Sequence, residues 1–252
     1  MKKLLCFFLI ILMISGCQTT AKPVKSKAKK QEQEGAVAKE EKVENPNIIV
    51  IDAGHQRYGN SEKEPIGPGA SETKAKVTTG ATGTTTGKLE SEINLEVAFK
   101  LQEKLEAKGY QVIMVRTSQD VNISNSERAA IANANNAAAF IRLHCNSDDS
   151  SSAKGTLTMA PSSSNKYCAN IASASQKLSK SVVDHICDET GSNNRGVIIT
   201  DTMSGINWCQ VPVTIVEMGF LSNPSEEKQL IDSSYQDKIV TGIVKGIDEF
   251  LS

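Results

Sequence analysis

The stretch Asn47-Ile48-Ile49-Val50-Ile51-Asp52-Ala53-Gly54-His55 limits the folds open to this chain more than any other. Its β-branched apolar run, broken off by Asp-Ala-Gly-His, predicts a strand buried on both faces, as inside a parallel sheet. Gly54 keeps side-chain bulk away from the histidine and lets other groups approach closely. The imidazole of His55 is thereby offered at the carboxyl end of a central strand, where open α/β sheets place their ligands.

Beyond His55 the chain alternates between strand and helix. Leu89-Glu90-Ser91-Glu92-Ile93 opens a helix whose apolar stripe is Ile93, Val97, Leu101 and Leu105, and Gly109 ends it. Tyr110 to Arg116 is the next strand, and Ser124 or Ser126 starts a helix through Asn135 that carries Arg128. Further strands are expected at Ala137 to His144, Gly155 to Ala160, Val197 to Thr200 and Pro212 to Glu217. Long helices are expected from Asn165 to Thr190 and from Tyr235 to Leu251, with another from Ser225 onward. The fold class is α/β: a single domain over 47–252 with a mostly parallel central sheet flanked by helices. Between the first strand and the first helix, residues 56–88 form a long insertion ending in a Thr/Gly run. A loop of that length is functional or mobile, and Thr79 to Thr86 suits a β-hairpin or a flap forming a rim over the site.

The amino terminus has a different character. Met1-Lys2-Lys3 and the apolar run Leu4 to Ile14 have the layout of a signal peptide, 1–16, too short for a permanent span. Ile14-Ser15-Gly16-Cys17 resembles a bacterial lipoprotein box, which implies cleavage before Cys17, lipid on its thiol and a place on the outer face of a membrane. The alternative is an ordinary signal peptide with an accidental cysteine. Residues 17–46 then form a lipid-anchored, disordered tether, basic first and acidic later, spanning roughly 30 Å as a random coil. Its lysines lie where anionic headgroups would attract them, though a plain solvated linker accounts for them equally. A net charge of −1 argues against a dedicated nucleic-acid binder.

Export leaves Cys145, Cys168, Cys187 and Cys209, an even number that permits disulfides. A continuous helix would hold Cys168 and Cys187 roughly 28 Å apart, which bars that pair.

Three strands end in His55, His144 and Glu217, and Glu90 begins the helix that follows the first of them. If the strands are parallel neighbours, all four groups meet at one sheet edge. Two imidazoles and one carboxylate are a recurrent catalytic zinc set with the fourth position left for water, whose pKa falls to about 7. A second carboxylate would accept the water's proton and pass it to a leaving amine. Each group also has a structural reading, as a satisfied strand-end histidine or an ion-paired glutamate. His185, within the long helix, is expected at the surface or in packing.

Ile49 to His55, Glu90 to Leu95, Arg128 to Asn133, Phe140 to Asn146 and Val216-Glu217-Met218-Gly219-Phe220-Leu221-Ser222-Asn223 resemble, in order, the motifs of the zinc-dependent N-acetylmuramoyl-L-alanine amidases of type 3. The resemblance covers residues 47 to 252. It implies His55, Glu90 and His144 as ligands of one catalytic Zn2+ and Glu217 as the catalytic carboxylate. Glu92 rivals Glu90, but the motif places the ligand four residues before Asn94. The implied substrate is peptidoglycan, cut at the amide between the lactyl group of muramic acid and L-alanine.

Two residues depart from the pattern. Gln56-Arg57 replaces the usual glycine and opens the insertion, and Arg142 stands where a small residue is common. Arg142 shares a strand face with His144, so it contacts a substrate carboxylate or pairs with an acidic neighbour. Cys145 faces the other way and is not a ligand. Two other functions fit the same residues: a non-catalytic peptidoglycan-binding lipoprotein, or a zinc peptidase cutting within stem peptides.

Overall fold

The computed structural model describes residues 47–252. The expected signal peptide, Cys17 and tether lie outside the described residues. Strand β1 (Ile48–Ala53) leads into a hairpin of β2 (Asn60–Pro65) and β3 (Thr73–Val77), then helix α1 (Glu90–Ala107). Strand β4 (Gln111–Met114), helix α2 (Asn125–Ala134), and strands β5 (Ala139–Asn146) and β6 (Thr156–Ala160) come next. Helix α3 (Ala172–Thr190), strand β7 (Asn194–Ile199), the single turn α4 (Ser204–Asn207) and strand β8 (Val213–Phe220) lead to α5 (Pro224–Leu230) and α6 (Ser233–Leu251).

The main sheet has the order β4-β1-β5-β8-β6-β7. Every pairing is parallel except β6 against β8, so β6 and β7 run opposite to the other four strands. The alternation of each strand sorts its side chains between two layers. Ile49, Ile51, Ala53, Ile141, Leu143, Cys145, Val216 and Met218 join the layer of α1, α3 and α6. Val50, Phe140, Val213 and Ile215 join the layer that includes α2 and α4. Arg142 and His144 alternate with Leu143 and Cys145, so they lie on the α2 and α4 side. Cys145 faces the opposite layer, as its strand position predicts.

The stripe expected on α1 is present, with Ile93, Val97, Leu101 and Leu105 fully buried. The closest helix contact is α3 against α6, made possible by glycine. A Cβ at Gly242 would lie 2.5 Å from Ile186 Cα, and one at Gly246 2.6 Å from Val182 Cα. No helix among the described residues is long and apolar enough to cross a membrane.

The structure corrects three expectations. The helix expected from Asn165 begins at Ala172, after a 3-10 turn at Ala169–Ile171. Asn165 Oδ1 accepts from the amides of Tyr167 (2.8 Å) and Cys168 (3.2 Å), closing a local turn that competes with helix. Cys168 therefore precedes the helix. All four cysteines are free and buried, and burial pushes the thiols of Cys168 and Cys187 up to about 11 and Cys209 to about 12.

The hairpin of the insertion is at Asn60–Val77, not at the Thr run. Thr84 to Thr86 form no flap either, because Glu227 of α5 grips them. Its carboxylate accepts from Thr85 N (2.7 Å), Thr86 N (2.8 Å) and Thr86 Oγ1 (2.7 Å).

Candidate active site

Register brings the site together. Asp52 of β1 lies beside Arg142 of β5, and His144 of β5 lies beside Glu217 of β8. His55 follows β1 in the left-handed region, at φ 59°, which a non-glycine residue adopts only when its surroundings impose it. Here Arg128 Nη2 donates to its carbonyl (3.0 Å), and Thr78 O lies 2.8 Å from its Nδ1. A carbonyl only accepts, so Nδ1 carries the proton and Nε2 presents a lone pair.

That lone pair points into a cluster. His55 Nε2 is 3.2 Å from Glu90 Oε1 and 3.1 Å from His144 Nδ1, and His144 Nδ1 is 3.0 Å from Glu90 Oε1. Among the described residues, His55, Glu90 and His144 are the group whose donor atoms could hold a metal, all within 4.8 Å of one another. The donors fit a borderline cation such as zinc: two imidazole nitrogens and one carboxylate oxygen converge with no lysine or arginine between them. Glu90 is buried at the first turn of α1, accepting from Ala81 N (2.7 Å) and Cys145 N (3.0 Å). Burial would raise its carboxyl, but the two histidines outweigh burial and hold it well below the usual range. Burial pulls the His144 imidazole down. For His55, burial is outweighed by Glu90, and the imidazole is raised. Glu92, the rival ligand, is turned away and accepts from Leu89 N (3.0 Å).

Glu217 stands half-buried beside this group. Its Oε2 and His144 Nε2 have no protein hydrogen-bond partner. Burial, and then the charge of Glu90, push the Glu217 carboxyl up to about 8. A carboxyl in that state both takes and gives a proton near neutral pH.

Behind the cluster, Asp52 is shared by two guanidinium groups. Arg128 Nη1 donates to Oδ1 (2.6 Å) and Arg142 Nε to Oδ2 (2.9 Å), with all three side chains buried. Burial would raise the Asp52 carboxyl, and the two arginines more than reverse that. Arg142 thus pairs with an acidic neighbour. The departure at Gln56 serves the same network, its Oε1 accepting from Arg128 Nη2 (2.9 Å) and Ile123 N (3.1 Å). Sequence reasoning missed Asp52, although a lone carboxylate interrupting an apolar strand was the available signal. Thr78 left none, since its carbonyl, not its side chain, fixes the tautomer. His185 is on α3, paired with Glu249 at 2.9 Å and away from the cluster.

The hairpin walls the cleft. Glu64 accepts from Ser126 Oγ (2.6 Å) at the start of α2, Trp208 Nε1 donates to Pro65 O (2.9 Å), and Gly67 packs so closely on Tyr167 that a Cβ would lie 2.6 Å from its ring.

The fold and the site together define a hydrolase: an α/β domain built around a His, Glu, His donor set with a raised carboxyl beside it. Residues 49–249 match the family described as N-acetylmuramoyl-L-alanine amidase. The chain belongs to that family and is an enzyme of that class. It is 32% identical to the uncharacterized protein YqiI of Bacillus subtilis over 202 residues, 80% of this chain and 84% of YqiI. It is 31% identical to the N-acetylmuramoyl-L-alanine amidase LytC of the same organism over 160 residues, 64% of this chain but 31% of LytC. Among solved structures, the catalytic domain of the amidase CwlV from Bacillus (Paenibacillus) polymyxa var. colistinus superposes with a TM-score of 0.66 at 27% identity, covering 81% of this chain and 98% of that one.

Proposed function

We propose that residues 47–252 are a zinc-dependent hydrolase that cuts the amide between N-acetylmuramic acid and L-alanine in peptidoglycan. The observation that carries this reading is the convergence of His55, Glu90 and His144 beside Glu217, in a chain of the amidase family. Zinc held by those three residues would supply Lewis acidity to the scissile carbonyl and to the attacking water. Glu217 takes a proton from the water as its oxygen bonds to the carbonyl carbon. It returns that proton to the L-alanine nitrogen as the C–N bond breaks, leaving a free amine and a lactyl carboxyl group whose remaining proton passes to the medium. Thr78 keeps the His55 proton on Nδ1, and Asp52, through Arg128, holds the turn that carries His55.

The proposal extends to the amino terminus: residues 1–16 are a signal peptide, Cys17 carries lipid, and 17–46 tether the domain to the outer face of a bacterial membrane within reach of the wall. The basic start, the apolar run and Ile-Ser-Gly-Cys support it. Labelled fatty acid should attach to the wild-type chain and not to Cys17→Ala; attachment to both, or to neither, would reject the anchor.

The test of the chemistry is digestion of purified peptidoglycan with zinc quantified in the same protein. Wild type should bind one zinc and release L-alanine amino termini while the glycan stays intact, and Glu217→Ala should not. Cleavage within the stem would mark a peptidase instead. A protein that binds no zinc, or a Glu217→Ala variant as active as wild type, would overturn the mechanism.

A further inference from the structure

The cleft over the donor cluster has a volume of about 470 Å³, and its lining is unevenly charged. His55, His144 and Glu217 line it together with Lys63, Lys74 and Arg142, and Glu217 is the one acid among the lining residues. We propose that Lys63, Lys74 and Arg142 form a carboxylate-recognising subsite that selects stem peptides whose carboxylate next to L-alanine is free rather than amidated. This rests on the amidase reading above and names the substrate class within it.

Three observations place cationic charge there. Among the described residues, Lys63 and Lys74 have no carboxylate partner, whereas Lys76 of the same hairpin is paired with Glu62 at 2.7 Å. Lys74 Nζ instead donates to Thr202 O (2.7 Å), which ties the hairpin to the segment before α4 and fixes where that charge sits. Arg142 is only half neutralised, because Asp52 serves Arg128 as well.

The Arg142 guanidinium is also posed for a ligand. Nε is spent on Asp52, Nη2 donates to Asn125 Oδ1 (2.9 Å), and Nη1 is left at the cleft against Gly205. A Cβ at Gly205 would lie 1.4 Å from Nη1, so the guanidinium occupies the space that any other residue would fill. A planar guanidinium with a nitrogen to spare, in a cleft that two lysines also line, suits a carboxylate. The hairpin that carries the lysines is anchored through Glu64, Pro65 and Gly67, so little order is lost on binding. Amidation turns the carboxylate into a neutral carboxamide and removes the charge these groups would meet.

The test compares two soluble muropeptides that differ only in the residue after L-alanine, free acid in one and carboxamide in the other. Wild type should prefer the free acid in kcat/KM by about tenfold, mostly through KM, as expected for one charge-assisted contact. The Lys63→Gln/Lys74→Gln variant, which leaves the buried Asp52 network intact, should bring the two substrates within about twofold. Equal kcat/KM for the two peptides in wild type, or an undiminished preference in the double variant, would overturn the subsite while leaving the amidase intact. If neither peptide is cleaved, the amidase reading itself fails. Calorimetric binding of both peptides to the zinc-loaded protein then decides the subsite, tighter binding of the free acid supporting it and equal affinity rejecting it.

Discussion

At the scale of single residues, the site is governed by which buried charges have partners. Asp52 has two, Arg128 and Arg142, and Glu217 Oε2 has none. Asp52→Asn should therefore cost about 3–5 kcal/mol in denaturant unfolding, because it strands two buried guanidinium groups. Glu217→Gln should lower kcat by about 10²–10⁴-fold, the usual share of a positioned acid-base group. It should also change how stability depends on pH in chelator-treated protein. The folded carboxyl, raised to about 8, keeps its proton where the unfolded one, at its ordinary 4.5, has lost it. Its contribution is complete below that ordinary value and is lost as pH rises through the folded one. Urea unfolding at about pH 5 and about pH 8 should show that loss in wild type and not in Glu217→Gln.

At the scale of elements, the link between α5 and the segment before α1 decides where Glu90 sits. Glu227 grips Thr85 and Thr86, Thr82 bridges to Leu89, and Ala81 N donates to Glu90 Oε2. Burial would raise the Glu227 carboxyl, but the Thr86 and Thr85 donors outweigh it and bring it down to about 2. Glu227→Gln should cost about 1–3 kcal/mol by urea unfolding. The lost contribution is one that wild type keeps above the ordinary carboxylate range and loses as pH falls through about 2. The variant should also bind zinc about tenfold more weakly, since the support of a ligand has been loosened. The first strand of the hairpin lacks the alternation that announces a strand. Asn60-Ser-Glu-Lys-Glu-Pro has no apolar face, and it is ordered because Ser126, Trp208 and Tyr167 hold it from outside.

At the scale of the whole molecule, the sheet is clamped from behind by α3 and α6 lying backbone to backbone. Gly242→Ala or Gly246→Ala should cost about 1–3 kcal/mol or more, because the added methyl meets main chain that cannot move aside. Thermal unfolding would measure it, and zinc bound per folded molecule should stay as in wild type, because the contact lies on the layer away from the cleft.

The sequence by itself determined the α/β class, the strands carrying His55, His144 and Glu217, and the apolar stripe of α1, because periodicity and turn residues act over a few neighbouring positions. It also turned the Cys145 side chain away from the cleft, since alternation along a strand is a local rule. The resemblance of the Glu90 to Leu95 stretch already chose Glu90 over Glu92; only the tertiary structure decided that Asp52 pairs with Arg142 and that the Thr run is gripped by Glu227. The same holds for Asn165, whose amide donates to Asp201 and Asn207 and so keeps its turn out of the helix. Each of these depends on partners far along the chain, whose distance is set by sheet register and helix packing, and no local pattern of residues encodes that distance.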